Sequence, residues 1–212
     1  MSWTSRPPIR SPFAATPAAG RADDGDAPVR ILTVCTGNIC RSAYAQHVLQ
    51  HRLDELLGPG RAVVTSVGTG PNQALAVPEP ILELAPAAQV RKALAAHRPR
   101  QLTARTLAGQ DLVLAATQGH LDAVLREDPG AVRRAFTLLE AGRLAEGGVA
   151  AEGGVRELTA AMAAGRPRLA GAEAWDLPDP FRGPVQGYVA MARVLDPALE
   201  GIARAVARSV DG

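Results

Sequence analysis

The chain has 212 residues, of which 47% are hydrophobic, and its formal net charge is +2 at pH 7. This length is sufficient for one α/β domain with a full hydrophobic core. Basic and acidic residues are interspersed and only 3% of residues are aromatic, which argues against a nucleic-acid-binding surface, and no apolar run is long enough to span a membrane.

The N-terminal segment and the two elements after it are predicted from composition and periodicity. Met1–Pro28 is rich in Pro, Ala, Ser and Arg and lacks the apolar stretch of a secretory signal, so we expect a disordered extension. Arg30–Val34 is a short apolar run typical of a central parallel strand. Over Ala43–Leu57 apolar residues recur on one face, which predicts a helix that ends at Gly58.

The remainder of the chain alternates between strand-like and helix-like segments. The predicted strands are Arg61–Val67, Asp111–Ala115 and Arg134–Leu138, and the predicted helices are Pro86–His97, Gln118–Glu127, one that ends at Leu144, and Pro184–Val210, which Pro197 could interrupt. Glycine and alanine dominate from Glu146 to Ala172, which we interpret as an insertion that could contain a helix over Val155–Ala164. The alternation predicts a three-layer α/β/α fold with a four-stranded, doubly wound parallel sheet and a ligand at the carboxyl end of its first strand.

The loop after the first predicted strand carries the strongest chemical signal. Positions 34–42 read VCTGNICRS, so the nucleophilic sulfur of Cys35 stands where a strand ends and Arg41 stands where a helix begins. Inward-pointing amides and the positive end of a helix favour a bound phosphate and the thiolate form of Cys35. Arg41 offers a planar fork that can hold two phosphate oxygens. Together they predict phosphoester hydrolysis through a phosphocysteine.

This loop closely resembles the active-site loop of the low-molecular-weight protein tyrosine phosphatases. The resemblance runs from about Val29 to the C-terminal helix and implies a phosphatase-like domain over 29–212, with a phosphate-binding loop after the first strand and an insertion at about 146–172. It implies that the hydroxyl of Ser42 donates to the sulfur and stabilises it as a leaving group. The residues that it assigns to phosphate binding are Thr36, Gly37, Asn38, Ile39, Cys40 and Ser42.

A proton donor for the leaving group is expected in the segment Leu177–Phe181. Prolines on both sides stiffen the segment around Asp179, and a phosphate dianion bound nearby would help its carboxyl group to keep a proton. The residues alone are equally compatible with a proline-rich turn that carries a solvated aspartate. The resemblance assigns the general acid to Asp179, because the family carries its acid in an Asp-Pro pair after the last strand, and leaves Asp176 as the less favoured candidate.

The resemblance also implies residues that brace the loop. Asn38 matches an asparagine held in a left-handed turn, a conformation that asparagine tolerates. Ser66 matches a serine after the second strand and His97 a histidine before the third, although His97 alone also fits a histidine at a helix end. No metal-ligand spacing is present, so neither a metal nor a cofactor is expected. The histidines interpreted as surface or structural residues are His47, His51 and His120.

The sequence departs from the family at two positions near the site. Phe181 could stack on an aryl substrate, but Arg182 stands where many members carry a second aromatic residue, and could favour an anionic or peptide context. Thr117 replaces an aspartate of many members, which weakens a supporting contact. We expect the substrate to be a phosphotyrosine-containing protein or a small aryl phosphate, and the enzyme to be a cytoplasmic monomer or weak dimer without nucleic-acid or membrane partners.

Three alternatives remain open at this stage. Arsenate reductases share the fold and loop but use further cysteines, and this chain has only Cys35 and Cys40, so an external low-molecular-weight thiol would have to take part. Arginine phosphatases of the same family often carry threonine at the position of Ile39, whose apolar bulk favours a flat aryl phosphate. A non-enzymatic phosphate-binding module would require neither Cys35 nor Asp179.

Overall fold

The computed structural model describes residues 27–147, 153–169 and 175–211. The expected N-terminal extension, Met1–Pro28, therefore lies almost entirely outside the described residues, and so do two stretches of the Gly/Ala-rich segment. Within the described ranges, no helix has both the length and the apolar character that a membrane span requires.

Within the described residues, parallel strands form one sheet in the order β2-β1-β3-β4. The strands are β1 (Val29–Cys35), β2 (Ala62–Gly68), β3 (Leu112–Ala115) and β4 (Ala135–Thr137). The neighbours of Val34 in the register are Val67 on one side and Ala115 on the other. The carboxyl end of β1 therefore lies where the strand order reverses, which is the place where open parallel sheets bind ligands. The predicted four-stranded, doubly wound parallel sheet is confirmed.

Helices cover both faces of this sheet. They are α1 (Arg41–Leu57), α2 (Glu79–Glu83), α3 (Ala88–Ala95), α4 (Ala104–Leu107), α5 (Gln118–Glu127), α6 (Leu138–Glu146), α7 (Val155–Gly165) and α8 (Val185–Asp211). Side chains of β1 alternate between two cores, with Ile31 packed in the core under α1, α6 and α8, and Leu32 in the core under α4 and α5. This alternation buries β1 on both sides and produces the expected three layers.

The region before β3 differs from the sequence prediction. We expected one helix over Pro86–His97, whereas α2 ends earlier and α3 begins only at Ala88. Pro86 disfavours helical backbone in the residue before it, and the residue after it, Ala87, is extended (φ −149°, ψ 155°). As a result, α3 is short and His97 lies just beyond its end.

The C-terminal helix α8 continues through Pro197. A proline inside a helix removes one backbone hydrogen bond and costs about 3 kcal/mol. The residues that follow it are buried against neighbouring helices, and Arg52 of α1 donates to the carbonyl oxygen of Asp196 at 2.8 Å and to the carboxylate of Glu200 at 2.9 Å. Packing and these cross-helix bonds therefore outweigh the local preference for an interruption.

Gly142 brings α6 against α8. A β-carbon at this position would lie 2.5 Å from Cβ of Ala198 and 2.7 Å from its Cα. We expect Gly142→Ala to lower the free energy of unfolding by about 1–3 kcal/mol, because overpacking pushes the two helices apart. Equilibrium denaturation measures this change.

The matched control for this substitution is Gly187→Ala, in α8. Its methyl group would lie 3.9 Å from Cβ of Pro180, an ordinary contact. We expect this variant to be as stable as the wild-type protein or slightly more stable, because alanine has the higher helix propensity. Equal stability of Gly142→Ala and the wild-type protein would contradict the close packing of α6 on α8.

Candidate active site

The sulfur of Cys35 lies at the end of β1 and is enclosed by the loop that follows. The residue is only 2% exposed, and the backbone N–H of Asn38 donates to its Sγ at 3.3 Å. The Oγ of Ser42 is 3.0 Å from the same sulfur and accepts a hydrogen bond from Nδ2 of Asn38, also at 3.0 Å. The hydroxyl proton of Ser42 has two acceptors within reach, the sulfur at 3.0 Å and the carbonyl oxygen of Val67 at 3.5 Å, and the sulfur is the nearer one. The structure thus places Ser42 where the resemblance implied a donor.

The carbonyl groups at the start of the loop point away from the sulfur because the chain after β2 binds them. The backbone N–H of Thr69 donates to the Cys35 carbonyl at 2.9 Å, and that of Gly70 donates to the Thr36 carbonyl at 3.1 Å. Gly68 permits this close approach, since a β-carbon there would lie 2.4 Å from the Thr36 carbonyl oxygen. Because the chain after β2 binds these carbonyl groups on the outer side of the loop, the backbone N–H groups of the loop can point inward. The loop then forms an anion-binding concavity.

Asn38 holds the loop in shape through its own polar groups. It is fully buried and has a left-handed backbone, with φ of 54°. Its Nδ2 donates to Oγ of Ser66 at 2.7 Å as well as to Ser42, and its Oδ1 accepts from the backbone N–H of Arg100 at 2.8 Å. Its carbonyl oxygen bonds to Nε2 of His97 at 2.9 Å. Asn38, Ser66 and His97 therefore meet in one buried network.

Two histidines of this network are neutral. Nε2 of His97 faces a carbonyl oxygen, which can only accept, so this nitrogen carries the proton and Nδ1 accepts from Nε2 of His47 at 3.2 Å. Burial lowers the pKa of His47 to about 4, with a further contribution from His97, and burial also lowers the pKa of His97. Of the two interpretations that the sequence allows for His47, surface or structural, the structure supports the structural one.

A second brace reaches the loop from α5, and sequence reasoning missed its contact with the loop. His120 is 8% exposed, with Nδ1 2.7 Å from Oγ1 of Thr117 and Nε2 2.8 Å from Oγ1 of Thr36. Burial and the neighbouring charge of Arg41 lower its pKa, so the ring is neutral at pH 7. Thr117 also caps α5 by accepting from the His120 backbone N–H at 3.3 Å. The only signal in the sequence is the Thr-x-x-His spacing at a helix start.

Arg41 connects the loop to the segment that carries Asp179. The arginine is 4% exposed; its Nη2 donates to Oδ2 of Asp179 at 2.7 Å and its Nη1 to the carbonyl oxygen of Leu177 at 3.2 Å. Its Nε is buried and has no hydrogen-bond partner among the described residues. The predicted phosphate clamp and the predicted acid therefore lie side by side, and the unsatisfied Nε–H suits an anion bound in the loop.

A cavity of about 170 Å³ opens above the sulfur. Ile39, Phe181 and Leu75 contribute its apolar lining, and the side chains of Phe181 and Leu75 are 37% and 36% exposed. Leu75 and Asn72 come from the irregular chain after β2, a contribution that the sequence did not reveal because the region has no periodicity. The cavity combines polar groups that converge on an anion with an apolar mouth, as small-molecule sites commonly do.

Cys40 is chemically distinct from Cys35. Burial, followed by the charges of Cys35 and Asp179, raises the pKa of Cys40 to about 12. Its thiol is therefore protonated at neutral pH and is a poor nucleophile. In the described part of the chain, no group of three or more His, Cys, Asp or Glu side chains could hold a metal ion.

Comparison with known proteins identifies the family. The family model of the low molecular weight phosphotyrosine protein phosphatases matches residues 30–144, which is more than half of the chain. This chain belongs to that family. Membership makes the protein a phosphatase, and it confirms the resemblance that the loop sequence indicated.

Individual members of the phosphatase family match over most of their length. A low molecular weight protein-tyrosine-phosphatase of Streptomyces coelicolor is 30% identical over 86% of this chain and 96% of its own. A protein-arginine-phosphatase of Geobacillus stearothermophilus is 28% identical over 83% and 95%. The solved structure of a Geobacillus stearothermophilus arginine phosphatase superposes with a TM-score of 0.58 at 28% identity, covering 84% of this chain and 92% of that one.

The neutral histidine pair predicts a pH dependence of phosphatase stability. An unperturbed histidine has a pKa of 6.5, whereas that of His47 is about 4 in the folded protein. The unfolded chain therefore binds more protons in this window, and stability falls as pH drops from 6.5 towards 4. We expect His47→Gln, which keeps a donor for His97 but does not titrate, to lose less stability over this range.

Denaturation at a series of pH values measures this difference, with His51→Gln as a control outside the network. Other groups titrate in both proteins over this range. The measured quantity is therefore the difference between the slopes of their free energies of unfolding against pH. Parallel stability profiles for His47→Gln and the wild-type protein would show that His47 is not held neutral by the fold.

Proposed function

We propose that this phosphatase hydrolyses phosphotyrosine and related aryl phosphates through a phosphocysteine intermediate, with Cys35 as nucleophile and Asp179 as general acid. One observation carries the assignment of roles. The buried Arg41 lies in the loop around the Cys35 sulfur and at the same time bonds Asp179 at 2.7 Å. Nucleophile, anion-binding group and acid are thereby brought to one cavity by segments that are far apart in the chain.

In the first step, the thiolate of Cys35 attacks phosphorus. A sulfur–phosphorus bond forms, the bond to the phenolic oxygen breaks, and that oxygen takes the proton of Asp179. Loop amides and the guanidinium of Arg41 stabilise the charge on the equatorial phosphate oxygens. In the second step, water attacks phosphorus, Asp179 takes a proton from it, and Cys35 leaves as a thiolate that the hydroxyl of Ser42 stabilises.

The ion pair between Arg41 and Asp179 belongs to this cycle. A bound phosphate dianion carries more charge than a carboxylate and competes for the same guanidinium. Once phosphate occupies the loop, Asp179 gives up Arg41 and its carboxyl group turns to the leaving oxygen. The same dianion favours the protonated form of the carboxyl group, as a general acid requires.

The apolar residues around the cavity favour an aryl substrate. Ile39, Leu75 and Phe181 can enclose a flat ring, and aromatic stacking on Phe181 contributes to binding. A phosphorylated arginine would instead place a polar guanidinium group against these apolar side chains, with Asn72 and Asp179 among the side-chain acceptors in the lining. Phosphoarginine stays the second candidate substrate because one relative of similar identity is a protein-arginine-phosphatase.

Arsenate reduction is a weaker alternative for the same site. After the thiolate of Cys35 attacks arsenate, a second thiol must resolve the adduct. Cys40 is the only other cysteine in the chain, so the reaction would use Cys40 or an external low-molecular-weight thiol. The thiol of Cys40 is buried and its pKa is raised to about 12, so it is a poor resolving group.

We propose a cytoplasmic phosphatase that acts as a monomer or weak dimer on phosphotyrosine-containing proteins. The need for a reduced Cys35 supports this compartment.

Two substitutions test the catalytic roles. Cys35→Ser should reduce turnover of phosphotyrosine peptides below detection, because a serine hydroxyl is a far weaker nucleophile at neutral pH than a thiolate. Asp179→Asn should slow cleavage of phenyl phosphate by about a hundredfold or more, because the phenolate leaves without a proton. Glu83→Gln, on the exposed side of α2, is the control. If Cys35→Ser retained activity, Cys35 could not be the nucleophile.

A substrate panel tests the choice between aryl and arginine phosphates. We expect kcat/KM for phosphotyrosine peptides to exceed that for phosphoarginine peptides in the wild-type protein. Ile39→Thr should reduce this ratio, because it replaces an apolar contact of the ring with a hydroxyl group; a change of about tenfold corresponds to 1.4 kcal/mol. A wild-type preference for phosphoarginine would assign the enzyme to the second candidate.

A further inference from the structure

The first turn of α5 contacts two segments of the site, one that carries Asp179 and one that binds phosphate. On one side it holds the segment 176–179, which carries Asp179 and is called here the acid loop. On the other side it holds Thr36 of the phosphate-binding loop. Because α5 directly follows β3, the turn is anchored in the sheet and can serve as a fixed reference for both loops.

The acid loop is attached to the junction of β3 and α5 by two hydrogen bonds. Oδ1 of Asp176 accepts from the backbone N–H of Gln118 at 2.6 Å, and the backbone N–H of Leu177 donates to the carbonyl oxygen of Ala116 at 2.8 Å. The side chain of Leu177 is 1% exposed, and its carbonyl oxygen accepts from Arg41. Asp176 thus binds the first amide of α5, only three residues before Asp179.

The phosphate-binding loop is attached to the same turn by His120. Oγ1 of Thr117 accepts from the His120 backbone N–H and lies 2.7 Å from Nδ1 of the neutral ring. Nε2 lies 2.8 Å from Oγ1 of Thr36, so either tautomer of the ring links the two hydroxyl groups in one chain of hydrogen bonds. This chain fixes the side chain of Thr36, which lines the cavity next to Cys35.

We propose that the first turn of α5 sets the distance between acid and nucleophile, with Asp176 as a positioning residue for Asp179 and His120 as a positioning residue for Thr36. The proposal rests on the proposed phosphatase function and assigns two residues to it that bind neither substrate nor Cys35. It also explains the presence of a second aspartate in the acid loop. The carboxylate of Asp176 is held by α5, whereas that of Asp179 is held by Arg41 beside the sulfur.

The role of Asp176 is tested by its dependence on the leaving group. Phenyl phosphate needs a proton on its leaving oxygen, whereas 2,4-dinitrophenyl phosphate does not. Asp176→Ala should lower kcat for phenyl phosphate about tenfold and for 2,4-dinitrophenyl phosphate less than about twofold, as expected for a displaced general acid. Asp176→Asn should restore most of the activity, because its amide oxygen can still accept from Gln118.

A double-mutant cycle separates positioning from other effects of Asp176. In the background of Asp179→Asn there is no acid to position, so Asp176→Ala should cause no further loss with phenyl phosphate. Equal losses with both leaving groups, or additive losses in the double variant, would overturn the role. A loss in Asp176→Asn as large as in Asp176→Ala would also overturn it, because Asp176 would then be the proton donor itself.

The role of His120 is tested by phosphate binding. His120→Ala should raise the inhibition constant of inorganic phosphate about tenfold and lower kcat/KM for both aryl phosphates by the same factor, because anion binding precedes either cleavage. His120→Gln, which can still donate to Thr36, should recover most of the affinity. Thr36→Val removes the same bond from the other side, should show the same shift, and provides the test if His120→Ala does not fold.

These outcomes are distinguishable from failure of the proposed function. A wild-type protein without phosphatase activity would overturn the proposed function and with it the role of Asp176. Calorimetric binding of inorganic phosphate would still report on His120 and Thr36 in that case. Unchanged phosphate affinity in both His120→Ala and Thr36→Val would overturn the positioning of the phosphate-binding loop.

Discussion

The left-handed, buried conformation of Asn38 is the constraint on which the site depends. A non-glycine residue in this region of backbone space is uncommon and must be held there by its surroundings. In this protein the side-chain amide and the backbone carbonyl of Asn38 form hydrogen bonds with four residues, Ser42, Ser66, His97 and Arg100. Because Asn38 turns the chain at this point, its backbone N–H reaches the Cys35 sulfur, and the Ser42 hydroxyl stays beside that sulfur.

The electrostatics of the site follow from which groups are charged. His97 and His120 are buried and His47 is half-buried. Desolvation lowers the pKa of all three, so at pH 7 they act as oriented hydrogen-bond donors and acceptors and add no positive charge. Cys40 keeps its proton. The positive charge in the loop is then that of Arg41, which serves either the acid loop or a phosphate. In the proposed mechanism this single guanidinium exchanges between two anionic partners, so that substrate binding releases Asp179.

Relationship to known proteins narrows the activity but not the substrate. Relatives of similar identity include a protein-tyrosine-phosphatase and a protein-arginine-phosphatase, so family membership alone does not separate aryl from guanidino phosphates. The separation has to come from the apolar lining of the cavity, to which Ile39, Leu75 and Phe181 contribute. Of these residues, Leu75 comes from an irregular segment whose position depends on the packing of the chain after β2.

The parallel sheet and the loop were predictable from the residues alone, because strand and helix periodicities are local and the residues of VCTGNICRS are contiguous. The sequence also pointed to Asp179, through the neighbouring prolines and the resemblance to the family. The sequence did not predict that Asp179 contacts Arg41, that His47 contacts His97, or that His120 contacts Thr36. These contacts join segments that are distant in sequence, and no local pattern encodes which side chains meet once the sheet and helices have packed.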